Sequence, residues 1–394
     1  MPQPPDIAPP PVALPGSPSS DTSAPGTITD GPTTGGSQPR GRLFYADALR
    51  VCATVAVVLL HTADGAWADL PVGSFDWQVT NVAEVATRWA VPIFVMVSGM
   101  FLLARPLPDD FTQEWAGVRK RAGRILAALI AWGLLYNLLD IALGIPGSTP
   151  AEVGDELLGL PARFLLQPAW YHLWFLYMII GLYLITPILA RFVAGASRRV
   201  LEYALLLCLS GTVVRLVDHF LTLGAGGVER TLFFPLDEVT GYAGYFLAGH
   251  YFSRYDLSRG ARRLLHGAAL VSAVAILAGA TVLSQSFGHD GMLYAPLSPG
   301  IAVISASVFV AFKDGLSGRV PSPRWDRRWG RLSELSFGVY LVHALVLTAL
   351  SLIGFSATAF LPLLAVPLVA LVTVVVSYAV AALLAHLPVA RKLI

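Results

Sequence analysis

Three ionisable residues share one apolar stretch near the start of the chain: Asp47, Arg50 and His61 in YADALRVCATVAVVLLHT. Asp47 and Arg50 are three apart, the spacing of neighbours on one helical face. Arg50 and His61 are eleven apart, almost three whole turns, which puts both on that face about 16 Å apart along the axis. An imidazole in such a stripe has the chemistry of a general base for a hydroxyl proton. A guanidinium suits a bidentate anion. The same spacing also serves a snorkelling interface pair with a histidine marking the helix end, or the polar stripe of a channel or transporter. Within a spanning helix each charge costs on the order of 2.5–3.5 kcal/mol on insertion scales, so each asks for a reason.

A second cluster, Arg119-Lys120-Arg121-Ala122-Gly123-Arg124, precedes another apolar run. Arg121 and Arg124 are spaced i, i+3, so two guanidinium forks can project from one side and hold phosphate. The plain alternative is a basic flank that binds lipid headgroups. Elsewhere, Tyr171-His172-Leu173-Trp174 opens an apolar segment where an aromatic interface belt would also be expected. Tyr340 and His343 lie in SFGVYLVH, midway along another apolar segment, where a histidine often serves as a hydrogen-bonded packing residue. Arg88, Arg215, Asp218, Glu238 and His250 are further charges or imidazoles with weaker claims.

The elements that must position these residues are membrane helices. Of 394 residues, 55% are hydrophobic and 13% charged, about half the charge of a soluble domain, so most of the surface faces lipid. Ten stretches are long enough to cross a hydrocarbon core of roughly 30 Å: about 44–64, 81–104, 122–143, 171–190, 200–220, 235–252, 264–284, 297–313, 332–353 and 361–386. The fifth is expected to be interrupted by Arg215, Asp218 and His219, and the sixth opens on Pro235, Asp237 and Glu238. The expected fold is therefore all-α, a polytopic bundle of about ten transmembrane helices.

Of the 27 Lys and Arg residues, 22 fall in segments on the N-terminal side of this topology. The opposite loops hold Arg163 and Arg230, and Arg50, Arg88 and Arg215 lie within spans. That asymmetry predicts both termini in the cytoplasm and a multi-pass protein of the cell (cytoplasmic, or inner) membrane. Residues 1–40 carry eleven prolines with many Ser, Thr and Gly, too polar to bury a core, so they are expected as a disordered cytoplasmic tail with no cleavable signal peptide. Residues 41–394 form the membrane domain. The longest outer loop is expected near 144–170. Cys52 and Cys208 sit in apolar runs as small buried residues, and no metal site is expected. No GxSxG, HExxH, Walker or GxGxxG pattern occurs in the right context. No basic block is long enough for nucleic acid, and no motif sets an oligomeric state.

Together these stretches resemble the acyltransferase 3 family of integral-membrane acyltransferases, in particular the branch that O-acetylates surface polysaccharides. The resemblance spans about residues 42–390 and rests on motifs in order. These are Asp47 with Arg50-x10-His61, VPIFVMVSG at 91–99, Arg121-x-x-Arg124, HLWFLY at 172–177, GLYLITP at 181–187, Tyr245-Phe246 with Gly249, and the segment ending in His343. It implies acetyl-CoA or another acyl-CoA as a donor substrate rather than a tightly bound cofactor, with a carbohydrate or glycoconjugate hydroxyl as acceptor. It further implies that His61 and Arg50 are required for transfer and that Arg121 and Arg124 act at the donor site. Asp47 would orient Arg50. His172, Trp174, Tyr340 and His343 are candidates for the cavity, the last three also for stabilising the oxyanion. Some relatives carry an added extracytoplasmic esterase-like domain, and none is expected here. A covalent acyl-histidine and direct transfer both fit these residues. The rival class is an exporter or flippase of a glycolipid or small metabolite, and a third is an inactive membrane scaffold.

Overall fold

The computed structural model describes residues 43–108, 110–144, 149–166, 170–224, 241–319 and 321–394. The expected tail at 1–40 lies outside the described residues, as does Glu238. Among the described residues the fold is all-α, with no strand. The helices are α1 (Phe44–Asp69), α2 (Phe75–Thr87), α3 (Ala90–Leu102), α4 (Phe111–Gly144), α5 (Pro150–Leu166), α6 (Trp174–Gly195), α7 (Arg198–Gly224), α8 (Ala243–Arg254), α9 (Arg259–Phe287), α10 (Pro299–Leu316), α11 (Pro323–Leu352) and α12 (Pro362–Leu384). Nine segments among the described residues are long and apolar enough to cross a membrane, with α2 and α3 counted as one. The chain is a multi-pass membrane protein. The sixth expected span, 235–252, corresponds to α8, whose described part is only 12 residues long.

Burial sorts these helices into an inner and an outer set. In the most apolar window of α1, 67% of residues are buried, against 17% in α7 and 22% in α9. The helix with the polar stripe is therefore the centre of the bundle, packed against α2, α3, α11 and α12. Its small residues Ala46, Ala53, Ala56 and Ala63 are buried and let neighbouring backbones approach. The closest crossing joins α3 to α8. A Cβ at Gly99 would run into the Phe246 carbonyl, and one at Gly249 into the Met96 carbonyl, so glycine is required on both helices.

Two expectations about discontinuities are corrected. The fifth span is not interrupted: α7 runs unbroken through Arg215, Asp218 and His219, and His219 Nε2 meets Asp290 Oδ2 at 2.8 Å. A charge breaks no helix by itself, because its side chain can reach a partner while the backbone ladder continues. The second span breaks instead, between α2 and α3 at Arg88–Trp89. Pro92 has no N–H to give the Arg88 carbonyl four residues back, which explains the position of the break. The Trp89 indole N–H donates to the Ala86 carbonyl at 2.6 Å, satisfying an acceptor that the break exposes. The segment near 144–170 is likewise not simply a loop, since it contains α5, tied to α6 by the Tyr177 hydroxyl donating to the Phe164 carbonyl at 2.9 Å.

Candidate functional site

A cavity of about 520 Å³ runs between α1, α3, α4, α6 and α11. Arg50 and Arg124 line one end together with Ser98, Tyr183, Ser336 and Phe337. His61, Arg88, His172, Trp174 and Tyr340 also line it. Apolar side chains from Val57, Leu60, Val91, Phe94, Phe175 and Ile179 form the remaining wall. The two residues that helical spacing put on one face of α1 thus open into the same space, three turns apart.

At the arginine end the cations rest on aromatic faces. The Arg50 guanidinium lies 5.1 Å from the Phe101 ring centroid, and that of Arg124 lies 5.7 Å from Phe337. Arg124 is exposed. Arg121, one turn earlier on α4, is half-buried and is not among the lining residues, so the two forks do not share the cavity wall. Asp47 is buried in the first turn of α1 and also lies off the wall.

The histidine end is built from three imidazoles on three different helical segments. The His61 ring stacks on His343 with centroids 5.3 Å apart, and His343 meets His172 edge-on at 5.0 Å. Tyr171 closes the other side of His61 at 4.9 Å. His343 is fully buried behind the lining residues His61, His172 and Tyr340. Its Nδ1 lies 2.6 Å from the Tyr340 carbonyl, an acceptor, so that nitrogen carries the proton. Nε2 of the neutral ring is then a lone pair, which makes His343 a hydrogen-bond acceptor at the site rather than an oxyanion donor. Tyr340 is similarly committed: its hydroxyl donates to the His172 carbonyl at 2.7 Å. Of the three oxyanion candidates, the Trp174 indole is left as the donor on the wall with no hydrogen-bond partner among the described residues.

Neither ring nitrogen of His172 has a hydrogen-bond partner among the described residues, and the same holds for Nδ1 of His61 and Nε2 of His343. Buried polar atoms usually have a partner, so four such nitrogens in one histidine cluster beside the cavity stand out.

Two further features shape the site: one is absent from the expected residues, and the other involves Arg88, a residue given only a weaker claim from the sequence. Tyr136 on α4 donates its hydroxyl to the Leu341 carbonyl at 2.7 Å and accepts from the Leu345 N–H at 3.1 Å. Those two backbone groups lie four residues apart, so the Tyr136 hydroxyl bridges the turn of α11 that contains His343, and the helix continues unbroken through it. The second feature is Arg88, ion-paired to the fully buried Glu84 four residues earlier and to Asp64 at 3.0 Å. The i, i+4 spacing of Glu84 and Arg88 is readable in sequence. Nothing local announces the Tyr136 bridge.

Compared with known proteins, residues 43–382 match a family model described as an acyltransferase domain, that of the acyltransferase 3 family. No curated protein and no solved structure matches the chain.

Proposed function

The chain belongs to the acyltransferase 3 family, and on that footing we propose that it moves an acyl group, acetyl by default, from cytoplasmic acyl-CoA to a hydroxyl of a carbohydrate or glycosylated acceptor at the cell membrane. The observation that carries this reading is the single cavity with guanidinium groups at one end and histidines towards the other. Coenzyme A has phosphates at one end of a long flexible arm and a thioester at the other. Arg124 and Arg50 suit its phosphates and the polar start of its arm, Arg121 adds positive charge beside them, and Asp47 is the residue that would orient Arg50.

His61 then acts as general base. Its Nδ1 faces protein while the ring lines the cavity, so Nε2 is the nitrogen that takes the acceptor proton. As the acceptor O–H gives up its proton to His61, its oxygen bonds to the thioester carbonyl carbon. The carbonyl electron pair moves to oxygen and returns as the carbon–sulfur bond breaks. The proton passes from His61 to the departing thiolate, leaving the ester and free CoA. Stacked beneath His61, His343 holds the ring plane; Trp174 supplies an N–H towards the oxyanion.

The competing class, an exporter or flippase of a glycolipid, would use the same polar path without chemistry. Purified protein in lipid nanodiscs, given acetyl-CoA and membrane-derived glycan, is expected to release CoA thiol and to label the glycan from radioactive acetyl-CoA. Glycan transport with no thiol release and no label would replace acyl transfer by export.

A further inference from the structure

One buried ion pair beside the cavity has no part in the reaction described above. Glu84, fully buried on α2, binds Arg88 at the break between α2 and α3, and its Oε1 is buried without a partner. Arg88 lines the cavity and extends Nη2 to Asp64 at 3.0 Å. Asp64 is three residues beyond His61, one turn further along the same face of α1. Asp64 is not itself a lining residue, but its side chain is 47% exposed beside Arg88 on the wall, so the group that Arg88 grips is accessible to a ligand while the group behind Arg88 is sealed. Joining two helices does not require this arrangement, because an apolar pair of similar volume is usually as stable as a buried ion pair or more so. A buried carboxylate, a guanidinium and an accessible carboxylate in series instead fix the direction of the last one.

We propose that Asp64 is the acceptor-binding residue that sets the reacting hydroxyl over His61, with Arg88 and Glu84 as its positioning residues. This rests on the acyl-transfer reading. An ionised carboxylate only accepts hydrogen bonds, so Asp64 holds a hydroxyl adjacent to the one that reacts. The acceptor is therefore a vicinal diol at this point. Two carboxylates to one guanidinium select against an acceptor carrying its own carboxylate or phosphate there.

The test uses the full chain in its native membranes, with radioactive acetyl-CoA and the acceptors those membranes contain. Asp64→Asn is expected to lower label transfer about 10²-fold, the loss expected of a misplaced reactant, with acetyl-CoA affinity unchanged. Glu84→Gln alone leaves Arg88 without its buried partner and is expected to misfold. The double variant Glu84→Gln/Arg88→Met removes both charges. It is expected to melt within a few degrees of wild type and still transfer about 10²-fold less. Arg88→Lys, which keeps the charge without the fork, is expected to recover part of the activity. Wild-type transfer by Asp64→Asn or by the double variant overturns the proposal, as does an equal loss of acetyl-CoA binding. A wild-type protein that transfers no label at all removes the acyl-transfer reading instead.

Discussion

The two ends of the cavity are built on opposite principles. The arginine end is more open: Arg124 is exposed, Arg50 is half-buried, and both guanidinium groups lie over aromatic rings. The histidine end is closed. There His172 and His343 are buried, His343 is fixed by the Tyr340 carbonyl, Tyr340 by the His172 carbonyl, and the turn around His343 by Tyr136. A mobile phosphate-bearing ligand needs strong but adjustable contacts, whereas proton transfer needs a ring held to a fraction of an ångström. On the proposed reading, binding belongs to one end and chemistry to the other, and substitutions at the two ends should separate in what they alter.

The sharpest separation is expected at His61. With His61→Gln, transfer from acetyl-CoA should fall by about 10²–10⁴-fold, the range for loss of a general base. The dissociation constant for acetyl-CoA should stay within about twofold, read by titration calorimetry on the same preparation. Near-normal transfer by this variant would take His61 out of the base role. A large fall in affinity would instead erase the division between the ends.

Tyr136→Phe tests whether the closed end works by rigidity. The substitution keeps the ring against His172 but removes the hydroxyl that bridges Leu341 and Leu345. Loss of that bridge removes one tie between α4 and the turn that holds His343, at a cost of about 1 kcal/mol. A lower thermal midpoint is expected together with transfer slowed roughly tenfold at saturating acetyl-CoA. An unchanged rate in a destabilised protein would make the bridge purely structural.

How far these contrasts could be read from sequence depends on the distance over which each is encoded. The arginine–histidine stripe lies on one helix, so its geometry follows from residue spacing alone, and α1 indeed exposes both ends to one cavity. The break at Arg88 was equally local, since Pro92 withholds a hydrogen bond four residues back, yet hydropathy passes smoothly over it. Conversely, the charges of α7 suggested a break where none exists, because a side chain can meet a partner outside its helix, as His219 meets Asp290, while the backbone ladder continues. The histidine cluster is a tertiary product. Nothing near His61 encodes that His172 and His343 will meet it, and Tyr136 bonds to a helix more than 200 residues away in sequence. The fold was legible because lipid imposes length and polarity on each segment separately. The closed end was not, because its contacts are made between segments.

Arg124→Ala probes the open end and should have the smallest effect of the three. A charge-assisted hydrogen bond to phosphate contributes about 1.5–3 kcal/mol, but Arg124 is exposed and Arg50 stays in the same cavity, so the lower part of that range applies. The acetyl-CoA dissociation constant should therefore rise about tenfold, while transfer at saturating donor remains within about twofold of wild type. Arg121→Ala, off the cavity wall, should weaken binding less than Arg124→Ala does, by charge alone. Because these contacts face water, raising the salt from about 0.05 to 0.5 M should weaken wild-type binding several-fold and weaken the Arg124→Ala protein less. On the proposed reading saturating turnover should respond less to that change, since His61 is flanked by the buried rings of His172 and His343. If salt lowered the saturated rate as strongly as the affinity, both ends would be exposed to the same solvent, and the two-station reading of the cavity would have to be abandoned.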